Sequence, residues 1–277
     1  MVSDKLQVRS MRRLRNATML LAFSGWMDGG DVSTGTVGHL VSHLRAEAIA
    51  EIDPHGFYID NFPGDMTVTS MFRPHVKIVD GLMVEFSLPA NTFYCAKPSN
   101  LILFRGKEPN LNWHDFGNCI FTMAERVDVK RIIFIGSFAG EVPHTREPRL
   151  HVTVSDARLK REVARYGVKP TDYEGPASFA TYLMAQAPRL GFEMMSLVAE
   201  IPAYVQGMNP MSIEAVARRL AAILGLRVNL DALRAQSNEW ESRVTAQAEQ
   251  DDELAEQIRE LETRYDTDLL DATPGGE

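Results

Sequence analysis

The sequence has only two cysteines and no long run of apolar residues. Its apolar runs, such as Ile132–Ile135, are far shorter than the roughly 20 residues of a membrane-spanning helix, and no apolar signal region follows the first residues. Cys95 and Cys119 are too few for a disulfide framework, and their spacing is not that of a metal site. We therefore predict a soluble, cytoplasmic protein with two buried, reduced thiols and no membrane partner.

An excess of basic residues is also missing, because 29 lysines and arginines stand against 37 aspartates and glutamates and leave a net charge of −8. A nucleic-acid binder needs a basic face, so we expect no nucleic-acid partner. Between Asn238 and Asp268 eleven acidic residues stand against three arginines, which accounts for the whole net charge. The sequence therefore predicts a body of balanced surface charge and one acidic C-terminal element.

The sequence also lacks the motifs that are typical of catalytic and cofactor sites. The chain shows no nucleophile elbow, no phosphate-binding or dinucleotide-binding glycine pattern, and no cluster of histidines, cysteines and carboxylates at metal-ligand spacing. We therefore predict no catalytic residue, no metal ion and no cofactor.

Apolar runs of strand length alternate with helical patterns, which is typical of a parallel or mixed sheet covered by helices. The predicted strands are Met19–Phe23, Ala48–Ile52, Val76–Val79, Met83–Phe86, Leu101–Phe104, Ile132–Ile135 and Met194–Glu200. The predicted helices are Asp31–Arg45, Asp115–Val127, Ala157–Tyr166, Ala177–Ala187 and Ser212–Leu224. Asp80 and Gly81 predict a hairpin with a type I′ turn, which we place at an edge of the sheet, and His151–Val154 predicts a small edge strand.

The segment 230–265 contains neither glycine nor proline, and its apolar residues recur at a spacing of about seven residues. Polar residues at Ser237, Gln247 and Asp251 interrupt this stripe. The pattern predicts a long helix or a helical hairpin that packs on the body or on a partner. We therefore divide the chain into an α/β core at 1–228, an acidic helical subdomain at 229–268 and a disordered tail at 269–277.

An apolar run at 18–23 ends in a glycine-rich turn at 24–31, and a helical pattern begins at once. This strand, turn and helix would place Ser24, Asp28 and backbone N–H groups where ligands bind in open α/β folds. The glycines lack the spacing of a phosphate loop, so a tight structural turn is the favoured alternative. Trp26 either stacks on a ligand or packs beneath the loop, and we expect packing.

Loops that follow the predicted parallel strands would gather at the same edge of the sheet. The candidate ligand-binding residues in these loops are Ser24, Gly25, Trp26, Asp28, Gly29, Gly30, Glu108, Glu141, His144, Thr145, Arg146 and Tyr204.

Two of these loop residues have alternative interpretations. His144 is either a general base oriented by Glu141 or Asp28, or a loop residue held by hydrogen bonds, which we favour because no nucleophile motif accompanies it. Arg146, together with Arg149, either clamps an anion or forms ion pairs with Glu147 or Glu141.

Several short segments, by their order and spacing along the chain, resemble the bacterial branch of the proteasome assembly chaperone two family. They are 22–30 (Ala-Phe-Ser-Gly-Trp-Met-Asp-Gly-Gly), 106–109 with Trp113 and Phe116, 142–146 with 173–176, 201–205, Trp240 with Glu241, and 261–266. The resemblance implies a three-layer α/β/α core with a mixed, mostly parallel sheet, similar to nucleoside phosphorylases, and a C-terminal helical extension. It also implies a lineage of assembly chaperones that bind proteasome α-subunits. Archaeal and eukaryotic relatives can dock through a terminal hydrophobic residue, a tyrosine and a final residue, whereas this sequence ends Gly-Gly-Glu.

Two functions are compatible with these patterns. In the first, the protein is a non-catalytic binding or assembly factor that forms a homo-oligomer, a dimer or trimer, with another protein as a candidate second partner. In the second, it is an enzyme or sensor that binds a nucleoside-like or phosphorylated small molecule in the crevice at the carboxyl ends of the strands.

Overall fold

The computed structural model describes residues 4–10 and 13–272, and its centre is a mixed sheet of nine strands with helices on both faces. The strands of the protein are β1 (Leu6–Val8), β2 (Ala17–Ser24), β3 (Glu47–Ile52), β4 (His75–Val79), β5 (Leu82–Ser87), β6 (Thr92–Ala96), β7 (Leu101–Lys107), β8 (Val129–Gly140), β9 (Leu150–Val154), β10 (Lys169–Pro170) and β11 (Glu193–Pro202). The α-helices are α1 (Val32–His43), α2 (Met66–Ser70), α3 (Trp113–Arg126), α4 (Ala157–Val163), α5 (Phe179–Gln186), α6 (Pro210–Leu224), α7 (Asp231–Ala248) and α8 (Asp252–Ala272).

The nine strands follow the order β1-β3-β6-β7-β2-β8-β11-β9-β10. The four central strands β7, β2, β8 and β11 are parallel, while β6, β3 and β1 on one side and β9 on the other run antiparallel to their inner neighbours. The predicted mixed, mostly parallel sheet is therefore confirmed. Its four central strands all end at the same edge.

Strand β2 shows why the central strands appear in the sequence as continuous apolar runs. Met19, Leu21 and Phe23 join the core layer beneath α3 and α5, while Leu20 and Ala22 join the layer beneath α1 and α6. Successive side chains of a strand point to opposite faces, so a strand covered on both faces has no polar position. The helices on both faces confirm the three-layer arrangement.

The predicted strands and helices of the core are all present, but β1, β6 and β10 were not predicted. Strand β6 is buried between β3 and β7, and its four apolar residues, 93–96, stand between Thr92 and Lys97-Pro98. Strands β1 and β10 have three and two residues, and each pairs with one neighbour at a margin of the sheet. Runs of two or three residues carry too few residues for a periodicity to be recognised.

The hairpin of β4 and β5 has the predicted turn but not the predicted position. Asp80 and Gly81 have φ values of 49° and 75°, as a type I′ turn requires. The two strands form a separate sheet of their own, so the prediction of a place at the edge of the main sheet is wrong. The reason is that β3 already has β1 on one side and β6 on the other, which leaves no free edge beside it.

The C-terminal segment forms two helices, α7 and α8, so the hairpin is present and the single long helix, the other predicted form, is not. Asp251 caps α8, because its carboxylate accepts hydrogen bonds from the backbone N–H groups of Glu253 and Leu254 at 3.1 Å. The polar residue that interrupts the apolar stripe at 251 therefore lies at the turn between the two helices. Helix α8 continues to Ala272, which corrects the prediction of disorder from residue 269 onward. The remainder of that predicted tail, 273–277, lies outside the described residues, and the division between core and subdomain at 228 stays a prediction.

None of the helices within the described ranges is both long and apolar enough to cross a membrane. Cys95 and Cys119 are buried and form no disulfide.

Candidate functional site

The loops at the carboxyl edge of the central strands meet through their backbones. The N–H of Glu108 donates to the carbonyl of Ser24 at 2.9 Å, and the N–H of Ser137 donates to the carbonyl of Met27 at 2.9 Å. The N–H of Asn209 donates to the carbonyl of Gly30 at 2.8 Å. The topology therefore brings the loops that follow β2, β7 and β11 against one another and against the end of β8.

The glycine-rich turn is shaped by close packing. Gly25 has a φ of +137°, and a Cβ atom there would lie 3.1 Å from the Cβ of Glu108. A Cβ on Gly29 would lie 2.9 Å from Ile201, and one on Gly30, with φ +64°, would lie 2.8 Å from Asn209. Close packing and, at Gly25 and Gly30, a positive φ therefore explain why glycine stands at these three positions, and no bound ligand is needed to explain it.

Asp28 occupies the amino end of α1. Its carboxylate accepts a hydrogen bond from the backbone N–H of Thr34 at 3.0 Å and another from the Thr34 hydroxyl at 2.7 Å. Burial raises the pKa of Asp28 above its ordinary value, although the hydrogen bonds from Thr34 oppose that shift. The helix end that would bind a phosphate is thus taken by a side chain of the protein itself.

Glu108 closes the amino end of α5 in the same way. One carboxylate oxygen accepts from the N–H of Phe179 at 2.8 Å and the other from the N–H of Trp26 at 3.3 Å. The cavity beside Glu108, which is also lined by Phe23 and Phe134, has a volume of about 10 Å³. Such a volume holds about one water molecule, so this centre of the crevice has no room for a nucleoside.

Trp26 departs from the predicted arrangement. Its side chain is 59% exposed, so the expectation that it packs beneath the loop is wrong. Phe23 and Met27 fill the space beneath the loop, and the Trp26 backbone is fixed by Glu108, so that the indole lies at the surface.

His144 is buried and holds two other elements together. Its backbone N–H donates to the Tyr204 hydroxyl oxygen at 2.8 Å, and its Nδ1 lies 2.8 Å from the same oxygen. Its Nε2 lies 3.0 Å from the hydroxyl of Thr245 on α7, and its ring packs edge-on against Trp240. The interpretation of His144 as a loop residue held by hydrogen bonds is confirmed, and its orientation by Glu141 or Asp28 is wrong.

Helix α8 clasps the loop between β8 and β9. Arg146 binds both carboxylate oxygens of Asp266 at 2.9 Å, Arg149 binds Asp268 at 2.6 Å, and the Thr145 hydroxyl donates to Glu262. On the same helix, Arg264 pairs with Glu141, and the Tyr265 hydroxyl donates to the carbonyl of Glu147 at 2.9 Å.

The predicted ion-pair partners of Arg146 and Arg149 were therefore wrong. Glu147 pairs with Arg218 of α6, and Glu141 is engaged by α8. Both arginines form ion pairs with α8, so neither guanidinium group is available to bind an anion in this conformation.

The candidate residues thus separate into two groups. Ser24, Gly25, Trp26, Asp28, Gly29, Gly30 and Glu108 surround the closed centre of the crevice, whereas Glu141, His144, Thr145, Arg146 and Tyr204 lie beneath α7 and α8. In residues 4–10 and 13–272, no group of three or more histidines, cysteines and carboxylates is arranged to hold a metal ion.

Comparison with known proteins gives a match to the family model described as the PAC2 family, over residues 22–248. The chain belongs to the PAC2 family. The resemblance predicted from short segments of the sequence is confirmed. No curated protein matches the sequence.

Solved structures of PAC2 proteins share this fold. A PAC2 family protein from Streptomyces avermitilis is 29% identical, with 87% of this chain and 99% of that chain covered and a TM-score of 0.73. A proteasome-assembly chaperone homologue from Mycobacterium tuberculosis is 30% identical, with the same coverage and a TM-score of 0.75. A protein of unknown function from Mycobacterium tuberculosis is 20% identical, covers 97% of this chain and 93% of its own length, and has a TM-score of 0.83, which shows the fold alone.

Five residues of this PAC2 chain that contact the loop between β8 and β9 were not among the predicted site residues. They are Trp240, Thr245, Glu262, Asp266 and Asp268, all on α7 and α8. A signal existed, because the acidic excess of this segment complements the two arginines of the loop between β8 and β9. This complementary charge does not by itself predict the pairing, because residues about 120 positions apart form no local sequence pattern.

The His144 contacts predict a pH dependence for this PAC2 protein. Burial lowers the pKa of His144 below its ordinary value of 6.5, although Glu262 acts in the opposite direction. The folded pKa therefore lies below the unfolded one, so the stabilisation is complete above about pH 6.5 and is lost as the pH falls from there through the lower, folded pKa. We expect the thermal midpoint to fall between about pH 6.5 and pH 5, and to fall less in His144→Gln, which cannot be protonated in this range. Equal slopes for both proteins, measured by circular dichroism, would contradict this assignment.

Proposed function

We propose that this PAC2 protein is a non-catalytic binding or assembly factor that acts as a homo-oligomer. The observation that carries the proposal is the arm, which we define as residues 62–86 between β3 and β6. It contains α2, β4 and β5, and ten of its large apolar side chains are exposed: Phe62, Met66, Met71, Val76, Ile78, Val79, Leu82, Met83, Val84 and Phe86.

The exposed area of the arm matches what an interface needs. These side chains together present on the order of 1,000 Å² of apolar surface, spread over α2 and both faces of the ribbon. A standard protein interface buries about 800 Å² on each partner. The arm is therefore large enough to form one such interface.

The ribbon of β4 and β5 cannot cover itself. Leu82, Met83 and Val84 are consecutive and exposed, so both faces of β5 carry apolar side chains. An isolated two-stranded hairpin is marginally stable in water unless another element packs on it. A second molecule that covers the ribbon would stabilise it.

The root of the arm is fixed to the body. The Tyr58 hydroxyl lies 2.8 Å from Asn91 Oδ1 and 2.9 Å from the carbonyl of Lys107, and the N–H of Lys107 donates to the same Asn91 oxygen at 3.1 Å. Asn91 in turn donates to the carbonyl of Ile52. The arm therefore projects from a rigid base at the end of β3 and β7.

We assign a second copy of this chain as the first partner of the arm, because every copy exposes the same apolar side chains. A further protein is the second partner that we propose, and the similarity to a proteasome-assembly chaperone homologue from Mycobacterium tuberculosis supports it. We place the protein in the cytoplasm. The small-molecule alternative is not favoured, because Asp28 and Glu108 occupy the helix ends of the crevice.

Native mass spectrometry of the full chain tests this proposal. We expect a mass that is a multiple of the 31.0 kDa chain, without a small-molecule adduct. A single-chain mass at micromolar concentration would contradict the homo-oligomer, and a stoichiometric small-molecule adduct would revive the alternative.

A further inference from the structure

Two histidines, His39 and His43, stand one helical turn apart at the carboxyl end of α1, the end opposite to the glycine-rich turn. Residues at i and i+4 share a helical face. The centres of the two imidazole rings are 6.0 Å apart, and the ring planes are inclined by 15°. His43 is exposed and is the last residue of α1, where the partial negative charge of a helix end favours a bound cation.

The half-buried His39 has a ring nitrogen without a hydrogen-bond partner. Its Nε2 and the hydroxyl oxygen of Thr36, one turn earlier on α1, are the buried side-chain atoms that lack a partner in the part of the chain that the structure describes. A buried polar atom without a partner costs free energy unless a water molecule or an ion completes it. Both of these atoms belong to the stripe of α1 that also contains His43.

The His39 ring is neutral at pH 7. Burial lowers the pKa of His39 below its ordinary value of 6.5 and His43 acts in the same direction, whereas a hydrogen bond with the backbone of Asn229 opposes that shift. A neutral imidazole keeps a lone pair on one nitrogen, and in metal-bound histidines the other nitrogen is typically held by a backbone or carboxylate group. His39 therefore combines a backbone contact that orients its ring with a nitrogen that has no other partner.

We propose that His39 and His43 bind a divalent transition-metal ion of the class of Zn²⁺, Cu²⁺ or Ni²⁺. Imidazole suits these ions, and histidines at i and i+4 form one of the arrangements by which helices bind zinc. Two imidazoles that bind one zinc ion at about 2.0–2.1 Å have ring centres about 5 Å apart, so the exposed His43 has to move by about 1 Å. Water completes the coordination, because no third histidine, cysteine or carboxylate among the described residues joins the pair. Such a site would be an exception to the prediction of no metal ion.

Isothermal titration calorimetry of the full-length protein, freed of metal with EDTA and titrated with ZnCl₂, tests this site. We expect one Zn²⁺ to bind per chain, with a micromolar dissociation constant. In His39→Gln and in His43→Gln the binding should be at least about tenfold weaker, because a single imidazole cannot chelate.

Two further variants distinguish this pair from other metal-binding groups. In His43→Arg combined with Arg45→His the composition is unchanged, but the second histidine lies beyond the end of α1, so the binding should be lost as in His43→Gln. His114→Gln removes another exposed histidine, on α3, and should bind Zn²⁺ as the wild type does. Circular dichroism without metal checks that each variant is folded, and the exposed position of His43 makes its replacement compatible with the fold.

The absence of a binding heat for the wild type would overturn the proposal. Binding that survives the exchange of residues 43 and 45, or that is lost in His114→Gln, would also overturn it, because the ion would then be held elsewhere. The pair lies outside the arm, so metal binding and self-association fail separately. A monomer that binds Zn²⁺ through the pair contradicts only the homo-oligomer, and an oligomer that does not bind Zn²⁺ contradicts only the metal site.

Discussion

Replacing Leu82, Val84 and Phe86 together with serine should convert the proposed homo-oligomer of this PAC2 protein into a monomer. The three residues alternate along β5, so they lie on one face of the ribbon, and they are 70%, 57% and 61% exposed in the single chain. Burial of each such side chain in an interface contributes about 1–2 kcal/mol, so their joint loss should weaken association by about 100-fold or more.

Sedimentation equilibrium over a range of concentrations measures this change. The fold of the variant should be kept, because these side chains are outside both core layers of the sheet. Leu190→Ser is the control, since Leu190 is 53% exposed but lies outside the arm. An unchanged oligomer mass in the triple variant would show that the arm is not the self-association surface, and a monomeric control would show that the effect is not specific.

Trp240→Ala should release the α7–α8 hairpin from the body. Trp240 is 3% exposed and packs against His144, and truncation of a buried tryptophan typically costs about 3–5 kcal/mol. The ion pairs that Arg264, Asp266 and Asp268 of α8 form with the loop between β8 and β9 each include an exposed carboxylate and contribute about 0–1 kcal/mol each, so together they offset only part of this loss.

Hydrogen exchange resolves this effect by segment. We expect amides of α7 and α8 to lose protection while those of β2 and β8 keep it, because local openings occur with free energies below that of global unfolding. Asn238→Ala, at an exposed position of the same helix, should leave exchange unchanged. Protection of the hairpin that is unaffected in Trp240→Ala, or lost together with that of the sheet, would contradict separate release.

Much of the architecture could be predicted from local pattern. The run from Met19 to Phe23 predicted a strand, and Asp80-Gly81 predicted the turn type of the hairpin. The helical hairpin of the acidic segment was among the predicted forms, and Asp251 proved to be the residue at which it turns. Each of these features depends on residues within a few positions of one another.

The candidate site was predicted less completely. The sequence placed the right loops at the carboxyl edge of the sheet, because parallel strands end together. It could not show that Asp28 and Glu108 fill the helix ends there, since a capping carboxylate and a ligand-binding carboxylate look alike in a sequence. Trp26 was expected inside and lies outside, because neighbouring apolar residues had already filled the space beneath the loop.

The sequence by itself determined which segments form the central strands, where the chain turns and that the acidic charge belongs to the C-terminal helical segment. These are properties of single residues and their near neighbours, and the periods of strand and helix encode them directly. Only the tertiary structure decided that Arg146 meets Asp266, that His144 meets Thr245 and that the hairpin of β4 and β5 leaves the sheet. Those outcomes depend on which surfaces approach across more than 100 residues of chain and on which strand edges are already occupied, and both are settled when the layers pack.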